Sequence, residues 1–403
     1  MSKIFIFAGR IHHYLRLGSV ATRLSELKHD VNFVTADNCI NIDPSTAYLN
    51  PVGAKTLHAL DYLDKTDMID VWTNKIMANI TGHHLEDRIS PFILAYSSRE
   101  AAECLYSFNG MLDVEKPDLM IVLHENNFWT KILAYLCHIR HIPVVSFQEG
   151  MLRLRDQKTQ GKQSMAAEYS DKLLVWSQFA ADEYIAAGII PTKIEITGIC
   201  HLDFGCKLVQ DPERLEQYRQ WFRTRAGFIP NAPLIAFCLP QFSRYEGDPM
   251  KAVQQVVGWA NTRGVNLGLR FHPFESSEFI TQIKSQLETN VVKVIDWVAD
   301  GVELILAADV VLSQHSSVAV ESLALNIPLV ELDFDHTSVL ESMAGRGAAF
   351  QLTNADELNR LIDICSGKLQ LSTTVLNEWR LKMAGERDGR STERAVEVIT
   401  KLL

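Results

Sequence analysis

Short apolar runs alternate along the chain with longer segments in which apolar residues recur at helical spacing. The runs predict buried strands, and the longer segments predict helices. The predicted strands lie at 3–7, 31–34, 119–123, 143–147, 171–176, 194–197, 233–238, 266–271, 291–295, 309–312 and 328–332. Fully apolar strands that alternate with helices are typical of a parallel sheet covered by helices on both faces.

The same pattern divides the chain into two similar halves. The predicted helices are at 15–28, 131–138, 250–263, 302–308, 318–325 and 394–403, and the region 45–115 is mixed but mostly helical. A charged segment of helical character interrupts the alternation at 207–231. We therefore predict an α/β fold of two facing Rossmann-like domains, divided into an N-terminal domain at 1–205, a linker at 206–230, a C-terminal domain at 231–385 and a C-terminal helix at 386–403. Because doubly wound sheets bind ligands beyond the carboxyl ends of their strands, this arrangement places a ligand cleft between the domains.

The composition agrees with a globular protein of two domains. The chain has 403 residues, of which 47% are hydrophobic and 22% charged, and a domain usually contains roughly 100–200 residues. The formal net charge of -10 argues against a nucleic-acid partner, since such proteins carry a basic excess or a basic stripe. It also argues against a polybasic membrane anchor, although Arg153 and Arg155 leave peripheral association with a membrane open.

The cysteines and histidines do not predict a metal site. The seven cysteines form no CxxC pair, and their scatter suits a reducing compartment. The pairs His12-His13 and His83-His84 have no carboxylate or Cys at the spacing of a recognised metal motif, so we expect neither a metal nor a cofactor.

No apolar run reaches about 18 residues, and the first one is too short for a signal peptide, so a cytoplasmic protein is expected.

The segment 309–332 carries the clearest functional signal. Here a predicted strand is followed by Ser316, Ser317 and a predicted helix, and free N–H groups at a helix start together with two hydroxyls can bind an anion. We expect a phosphate or diphosphate at this point, with His315 beside the serines, and Glu321 accepting hydrogen bonds from a ribose diol. A simpler interpretation makes one serine a helix N-cap and Glu321 a solvated helix residue.

A second candidate is the end of the strand predicted at 266–271. Arg270 and His272 lie there, and Pro273 stops the strand. An imidazole at this position points into the predicted cleft, where it can donate a hydrogen bond to a phosphate oxygen. A histidine with a purely structural role is the alternative.

The N-terminal half places acidic residues at its own strand ends. Glu149, preceded by Gln148, can act as general base toward an acceptor hydroxyl if its carboxylate faces the cleft. The pair His124-Glu125 ends the neighbouring strand and is a second base candidate, and Arg10 follows the first strand, where it can meet an anion. An exposed loop acid and a surface arginine are the alternatives.

The sequence lacks three common nucleotide and hydrolase motifs. The absence of GxxxxGK[ST], GxGxxG and GxSxG argues against a P-loop NTPase, a dinucleotide dehydrogenase and an α/β-hydrolase. The motifs that are present resemble those of nucleotide-sugar enzymes with the GT-B fold. These are the His272-Pro273 pair, Ser316-Ser317 followed by Glu321, and the run GERDGRSTER at 385–394.

One branch of these enzymes makes bacterial surface polysaccharides. It includes sialyl- and Kdo-transferases, which use CMP-sugars, and CDP-glycerol glycerophosphotransferases. The CMP-sugar enzymes carry an acidic-acidic-Gly motif, an HP motif and a Ser-Ser/Thr motif, which here resemble Gln148-Glu149-Gly150, His272-Pro273 and Ser316-Ser317, with Gln148 replacing one acid. The resemblance implies that Glu149 activates the acceptor while His272 and the serines hold the nucleotide phosphates.

The other branch is the non-hydrolysing UDP-N-acetylglucosamine 2-epimerase. Its landmarks resemble, in the same order, Arg10, PVVSFQEGMLR at 143–153, ITGICHLD at 196–203, His272 and Glu321. Its Asp-Ser-Gly-Gly signature is QHSS at 314–317 here, and its Gly-Thr-Arg-Pro-Glu is GRIH at 9–12. These differences count against epimerisation.

The expected function is sugar transfer from a CMP- or UDP-linked donor to a surface-polysaccharide or lipid-linked acceptor, in the cytoplasm, with association with the inner face of the cytoplasmic membrane left open. The C-terminal domain would bind the donor, and the leaving phosphate would be stabilised without a metal by Arg270, His272, Ser316 and Ser317. A 2-epimerase and a non-catalytic nucleotide-sugar-binding subunit are the alternative interpretations.

Overall fold

The computed structural model describes most of the chain. The described residues are 1–9, 11–35, 54–62, 98–125, 127–151, 165–242, 248–272, 275–297, 301–314, 316–335 and 342–403. Among the described helices, none combines the length and the apolar character needed to cross a bilayer.

The first half forms a parallel sheet of seven strands in the order β3-β2-β1-β4-β5-β6-β7. Its strands are β1 Lys3–Phe7, β2 Asp30–Thr35, β3 Thr56–His58, β4 Leu119–Leu123, β5 Val144–Phe147, β6 Lys172–Val175 and β7 Ile194–Ile196. The central strands are buried along their whole length, because helices cover both faces of the sheet. The parallel register places the carboxyl ends of β1, β4 and β5 side by side at one edge.

The second half forms a parallel sheet of six strands in the order β10-β9-β8-β11-β12-β13. Its strands are β8 Leu234–Cys238, β9 Asn266–Arg270, β10 Val292–Val294, β11 Val310–Ser313, β12 Leu329–Leu332 and β13 Phe350–Leu352. The carboxyl ends of β8, β9 and β11 are neighbours. The prediction of two parallel-sheet α/β domains is therefore confirmed.

Helices connect the strands and cover the sheets. The α-helices are α1 Ile11–Glu26, α2 Ser98–Glu115, α3 Phe128–His138, α4 Gln178–Ala186, α5 Asp203–Leu208, α6 Pro212–Ala226, α7 Pro249–Arg263, α8 Ser277–Leu287, α9 Gly301–Ala307, α10 Val318–Ala324, α11 Arg360–Cys365, α12 Thr373–Ala384 and α13 Ser391–Thr400. Short 3₁₀ helices lie at Ala59–Tyr62, Met165–Ala167, Pro191–Lys193, Cys200–Leu202, Ala344–Arg346 and Ala355–Asn359. Local chemistry sets several helix ends: α7 begins after Asp248, whose side chain accepts a hydrogen bond from Lys251 N, and it ends at Gly264 with a φ of +66°.

The last helix returns to the first domain. Ala395 and Ile399 of α13 share a hydrophobic core with Ile4 of β1 and Leu17 of α1. The first two backbone N–H groups of α13, at Ser391 and Thr392, donate to the two carboxylate oxygens of Asp203 at 2.9 and 2.7 Å. The chain therefore crosses between the domains twice, and Asp203 fixes the second crossing.

Replacing Asp203 by Ala should lower the free energy of unfolding by about 1–3 kcal/mol, because two buried N–H groups lose their acceptors. Urea unfolding followed by circular dichroism measures the change. Glu397→Ala, an exposed substitution on the same helix, is the control and should leave the unfolding midpoint unchanged. Equal stability of the Asp203→Ala protein and the wild type would show that this contact does not hold the helix.

The predicted linker at 206–230 forms helices that pack on the second domain. Leu208 of α5 and Phe222 of α6 share one core with Leu234 of β8 and Leu306 of α9. The exact domain boundaries stay a prediction. The sequence pattern did not identify α4, α8, α11, α12, β3 or β13.

Candidate functional site

A cavity of roughly 220 Å³ lies where the carboxyl edges of the two sheets meet. We call it the cleft cavity. The first domain lines it with His12, Leu15, Arg16, Glu149 and Gly150. The second domain lines it with Cys238, Leu239, Arg270, Phe271, His272, Gly301, Ser316, Ser317, Val318 and Glu321. The structure thus brings Glu149 and His272, which are far apart in the sequence, to one space.

Glu149 lies at the centre of a histidine cluster on the wall formed by the first domain. His12 Nε2 donates to Glu149 Oε1 at 2.9 Å, and His13 Nε2 is 3.7 Å from the same oxygen. His124 Nδ1 approaches the other carboxylate oxygen at 3.9 Å. We call these four residues the Glu149 cluster. The two adjacent histidines come from the first turn of α1, His124 follows β4, and Glu149 follows β5.

The backbone at His124 is held in an unusual conformation. Its φ is +66°, in the left-handed region that residues other than glycine rarely adopt. Two hydrogen bonds hold it there: His124 N donates to Phe147 O at 3.0 Å, and Thr130 Oγ1 donates to His124 O at 2.7 Å. Such strain persists where the surroundings enforce it, and it is concentrated at functional sites.

Burial sets the charge states of two histidines in the cluster, and contacts with histidines set that of Glu149. Burial lowers the pKa of His12 from 6.5 to about 4, more than the hydrogen bond with Glu149 raises it, and it also lowers the pKa of His124. For Glu149, burial raises the pKa, but the hydrogen bond from His12 and the close approach of His13 outweigh it and hold the pKa well below its usual range. At neutral pH the cleft cavity therefore has an ionised carboxylate beside the neutral imidazoles of His12 and His124.

A buried ion pair joins the two domains at the floor of the cavity. Arg16 Nη2 of α1 donates to Glu321 Oε1 of α10 at 2.9 Å, and His201 Nε2 lies 3.4 Å from the same oxygen. The Glu321 side chain is only 3% exposed. Burial raises the pKa of Glu321, but the charge of Arg16 and the hydrogen bond with His201 outweigh burial and lower it from 4.5 to about 2. Glu321 is thus a buried interdomain residue rather than a solvated helix residue, and its predicted ribose contact stays a prediction.

The wall formed by the second domain holds the predicted phosphate ligands. His272 is half-buried, and Arg270 Nη1 donates to Ile295 O at 3.0 Å. Ser316 and Ser317 precede α10, and the Ser317 side chain makes no cap hydrogen bond, whereas Val318 N donates weakly to Ser316 Oγ at 3.4 Å. Ser317 is thus the N-cap residue by position, as the simpler interpretation expected, but its side chain does not cap the helix, and Ser316 and Ser317 both line the cavity.

Glu125 and Gln148 have different surroundings from those expected. Glu125 is fully buried, and its carboxylate accepts hydrogen bonds from Tyr169 N and Ser170 N at 2.9 and 3.0 Å. Gln148 accepts a hydrogen bond from Trp176 N at 3.0 Å and donates to Gly150 O at 2.9 Å. Neither side chain lines the cleft cavity as far as the described residues define it. These contacts favour a structural role, in which Gln148 shapes the loop that carries Glu149.

Three predicted site residues, Arg10, Pro273 and His315, lie outside the described residues. The sequence pattern did not single out Arg16, and it did not predict that His12, His13 and His124 surround one carboxylate. The available signal was the pair of adjacent histidines that begins two residues after Arg10, at the start of a helix that follows the first strand. The carboxylate that these histidines contact, Glu149, is 137 residues away from His12 in the sequence, so no local spacing indicated the contact.

Solved structures with the same fold include UDP-GlcNAc 2-epimerases and a wall teichoic acid polymerase. The UDP-GlcNAc 2-epimerase from Neisseria meningitidis bound to UDP-GlcNAc is 14% identical, with a TM-score of 0.63 and all of both chains covered. The UDP-GlcNAc 2-epimerase from Methanocaldococcus jannaschii in complex with UDP-GlcNAc and UDP is 16% identical, with a TM-score of 0.64 and 99% of both chains covered. The wall teichoic acid polymerase TagF is 12% identical, with a TM-score of 0.62, 99% of this chain and 88% of its own chain covered.

At these identities the similarity shows a shared fold. No family model and no curated protein matches the sequence.

Proposed function

We propose that the protein is a glycosyltransferase that moves a sugar from a nucleotide-sugar donor to a glycan or lipid-linked acceptor. The observation that supports the proposal is the cleft cavity, which Glu149 of the first domain lines together with His272, Ser316 and Ser317 of the second. We call the part of the cavity lined by Glu149 the acceptor side, and the part lined by His272, Ser316 and Ser317 the phosphate side.

The phosphate side suits the leaving group of a nucleotide sugar. The Arg270 guanidinium, the His272 imidazole and the serine hydroxyls supply hydrogen-bond donors at the carboxyl edge of the second sheet. Donors fixed in advance by the fold stabilise charge that develops on the leaving phosphate oxygen, and they need no metal on this side.

The transfer itself forms one bond and breaks one. The acceptor hydroxyl oxygen bonds to the anomeric carbon while the bond from that carbon to the phosphate oxygen breaks, and its electron pair leaves with the nucleotide. The hydroxyl proton passes to the Glu149 carboxylate, which first orients the hydroxyl by accepting its hydrogen bond. Closure of the domains around the donor limits its hydrolysis by water.

A 2-epimerase is the second candidate function. It is supported by the full-length likeness to the two UDP-GlcNAc 2-epimerases above. It differs in a testable way, because an epimerase converts the UDP-sugar with no acceptor present. A third outcome, nucleotide binding without any turnover, would identify a non-catalytic binding subunit.

A ligand screen followed by product analysis separates these functions. Thermal-shift measurements with CMP, CDP and UDP should identify one nucleotide that stabilises the protein by mass action. Incubation with the corresponding nucleotide sugar should then release the nucleotide only when a glycan primer is added. Conversion of UDP-GlcNAc to its 2-epimer without a primer would overturn the transferase proposal, and stabilisation by none of the three nucleotides would overturn donor binding.

Replacing His272 by Ala should weaken binding of that nucleotide by about tenfold or more. The expected loss is one hydrogen bond to a charged phosphate, about 1.5–3 kcal/mol, and 1.4 kcal/mol corresponds to a factor of ten. Titration calorimetry measures it, with His138→Ala on the exposed face of α3 as control. Unchanged affinity in the His272→Ala protein would assign His272 a structural role.

A further inference from the structure

Three atoms of the Glu149 cluster form a set with the spacing of metal ligands. His12 Nε2 and His13 Nε2 lie 2.9 and 3.7 Å from Glu149 Oε1, and His12, His13 and Glu149 each offer a ligand atom within 4.8 Å of the other two. Tetrahedral bonds of about 2.0–2.2 Å to a zinc ion separate neighbouring ligand atoms by about 3.3–3.6 Å. The two distances to Glu149 Oε1 lie on either side of that separation, so small side-chain movements bring these atoms to the spacing of ligands on one ion.

We propose that His12, His13 and Glu149 bind one divalent transition-metal ion, with zinc as the best fit. Two imidazoles and one carboxylate are a donor set that suits zinc and its first-row neighbours, whereas Mg²⁺ and Ca²⁺ prefer oxygen ligands alone. The sequence predicted no metal here, because the carboxylate follows β5, far along the chain from the two histidines of α1.

The surroundings of the three residues fit such an ion. The side chain of His13 is 3% exposed and that of His12 is 15% exposed, so both imidazoles are held by packing. Glu149 is 31% exposed, and both Glu149 and His12 line the cleft cavity. His124, 3.9 Å from the second oxygen of Glu149, can orient the carboxylate, as partners of metal ligands commonly do.

Three protein ligands leave a coordination position open toward the cleft cavity. Zinc sites with this pattern are catalytic rather than structural, since a water molecule or a substrate oxygen takes the fourth position. Resting on the proposed function, the ion would hold the acceptor hydroxyl, lower its pKa and present its oxygen to the sugar. Binding of the ion itself does not depend on that function.

Titration of the chelator-treated full-length protein with Co²⁺ and Zn²⁺, in the absence of nucleotide, tests the proposal. We expect one Co²⁺ per chain, with visible absorption bands of a low-coordinate site that disappear when Zn²⁺ is added, and no comparable binding of Mg²⁺. His12→Gln and His13→Gln should each weaken Zn²⁺ binding by at least about 100-fold, since even partners of ligands contribute 10–100-fold. His138→Gln removes an exposed histidine elsewhere and should leave binding unchanged.

Binding that is absent in the wild type, or equal in all variants, overturns the proposal. If the buried His13→Gln protein does not fold, as judged by circular dichroism, the more exposed His12→Gln protein decides the result. Nucleotide titration of the chelator-treated protein separates the two proposals. Nucleotide binding without ion binding overturns only the metal site, and ion binding without nucleotide binding overturns only the proposed donor site.

Discussion

Glu149→Gln should lower the rate of sugar transfer by a factor of about 10²–10⁴, the usual contribution of a positioned acid–base group. Glutamine has the same shape, and its amide oxygen can still accept the hydrogen bond from His12 Nε2, so the fold should persist. It lacks the negative charge that holds either an acceptor hydroxyl or a metal ion. The loss is therefore expected in the rate and not in the stability of the protein.

The affinity for the nucleotide is the internal check on that result. The predicted phosphate contacts come from the second domain, so Glu149→Gln should change the dissociation constant of the nucleotide by less than about threefold, under 1 kcal/mol. Initial rates and titration calorimetry measure the two quantities on the same preparation. Glu183→Gln on α4, a carboxylate that does not line the cleft cavity, should retain the wild-type rate. Full activity of the Glu149→Gln protein would remove Glu149 from the reaction.

The largest effect on stability is expected from Arg16→Ala. This change leaves Glu321 buried with a carboxylate that has lost its cationic partner, and removing one member of a buried ion pair typically costs about 3–5 kcal/mol. Urea unfolding at pH 7 measures the loss. Arg23→Ala is the matched control on the same helix, because its ion pairs with Glu26 and Glu393 are exposed and should contribute little.

The same ion pair predicts a dependence of stability on pH. The pKa of Glu321 is about 2 in the folded protein against 4.5 for the free side chain. A lowered pKa stabilises the fold above the pH at which the unfolded carboxyl ionises, and the gain is lost as the pH falls from 4.5 toward 2. The Arg16→Ala protein should therefore lose less stability than the wild type between pH 4.5 and 2. An equal loss in the two proteins would show that the Arg16–Glu321 pair does not cause this pH dependence.

The fold was largely predictable because the physical signal is local. Runs such as Leu119–Leu123 are apolar throughout, and a strand buried on both faces needs that composition. Helix starts were less accurate: α1 begins at Ile11, four residues before the predicted start, and its first turn holds the adjacent polar residues His12 and His13. β13 was missed because it has only three residues, one of them exposed.

The candidate site was predictable only in part. Parallel strands end at one edge of a sheet, so the positions of Glu149 and His272 at strand ends followed from the pattern. Glu125 has the same kind of position, yet its carboxylate turns to the backbone of Tyr169 and Ser170. No local pattern distinguishes these two carboxylates, because their neighbours come from distant parts of the chain.

The sequence by itself determined two parallel α/β domains and a set of polar residues at their strand ends, because local runs of apolar residues determine which segments form buried strands. Only the tertiary structure decided which of these residues meet. It placed His12, His13 and His124 around Glu149, paired Arg16 with Glu321 across the domains, and returned α13 to the first domain. Contacts of this kind depend on the packing of segments far apart in the chain, which hydrophobic periodicity does not record.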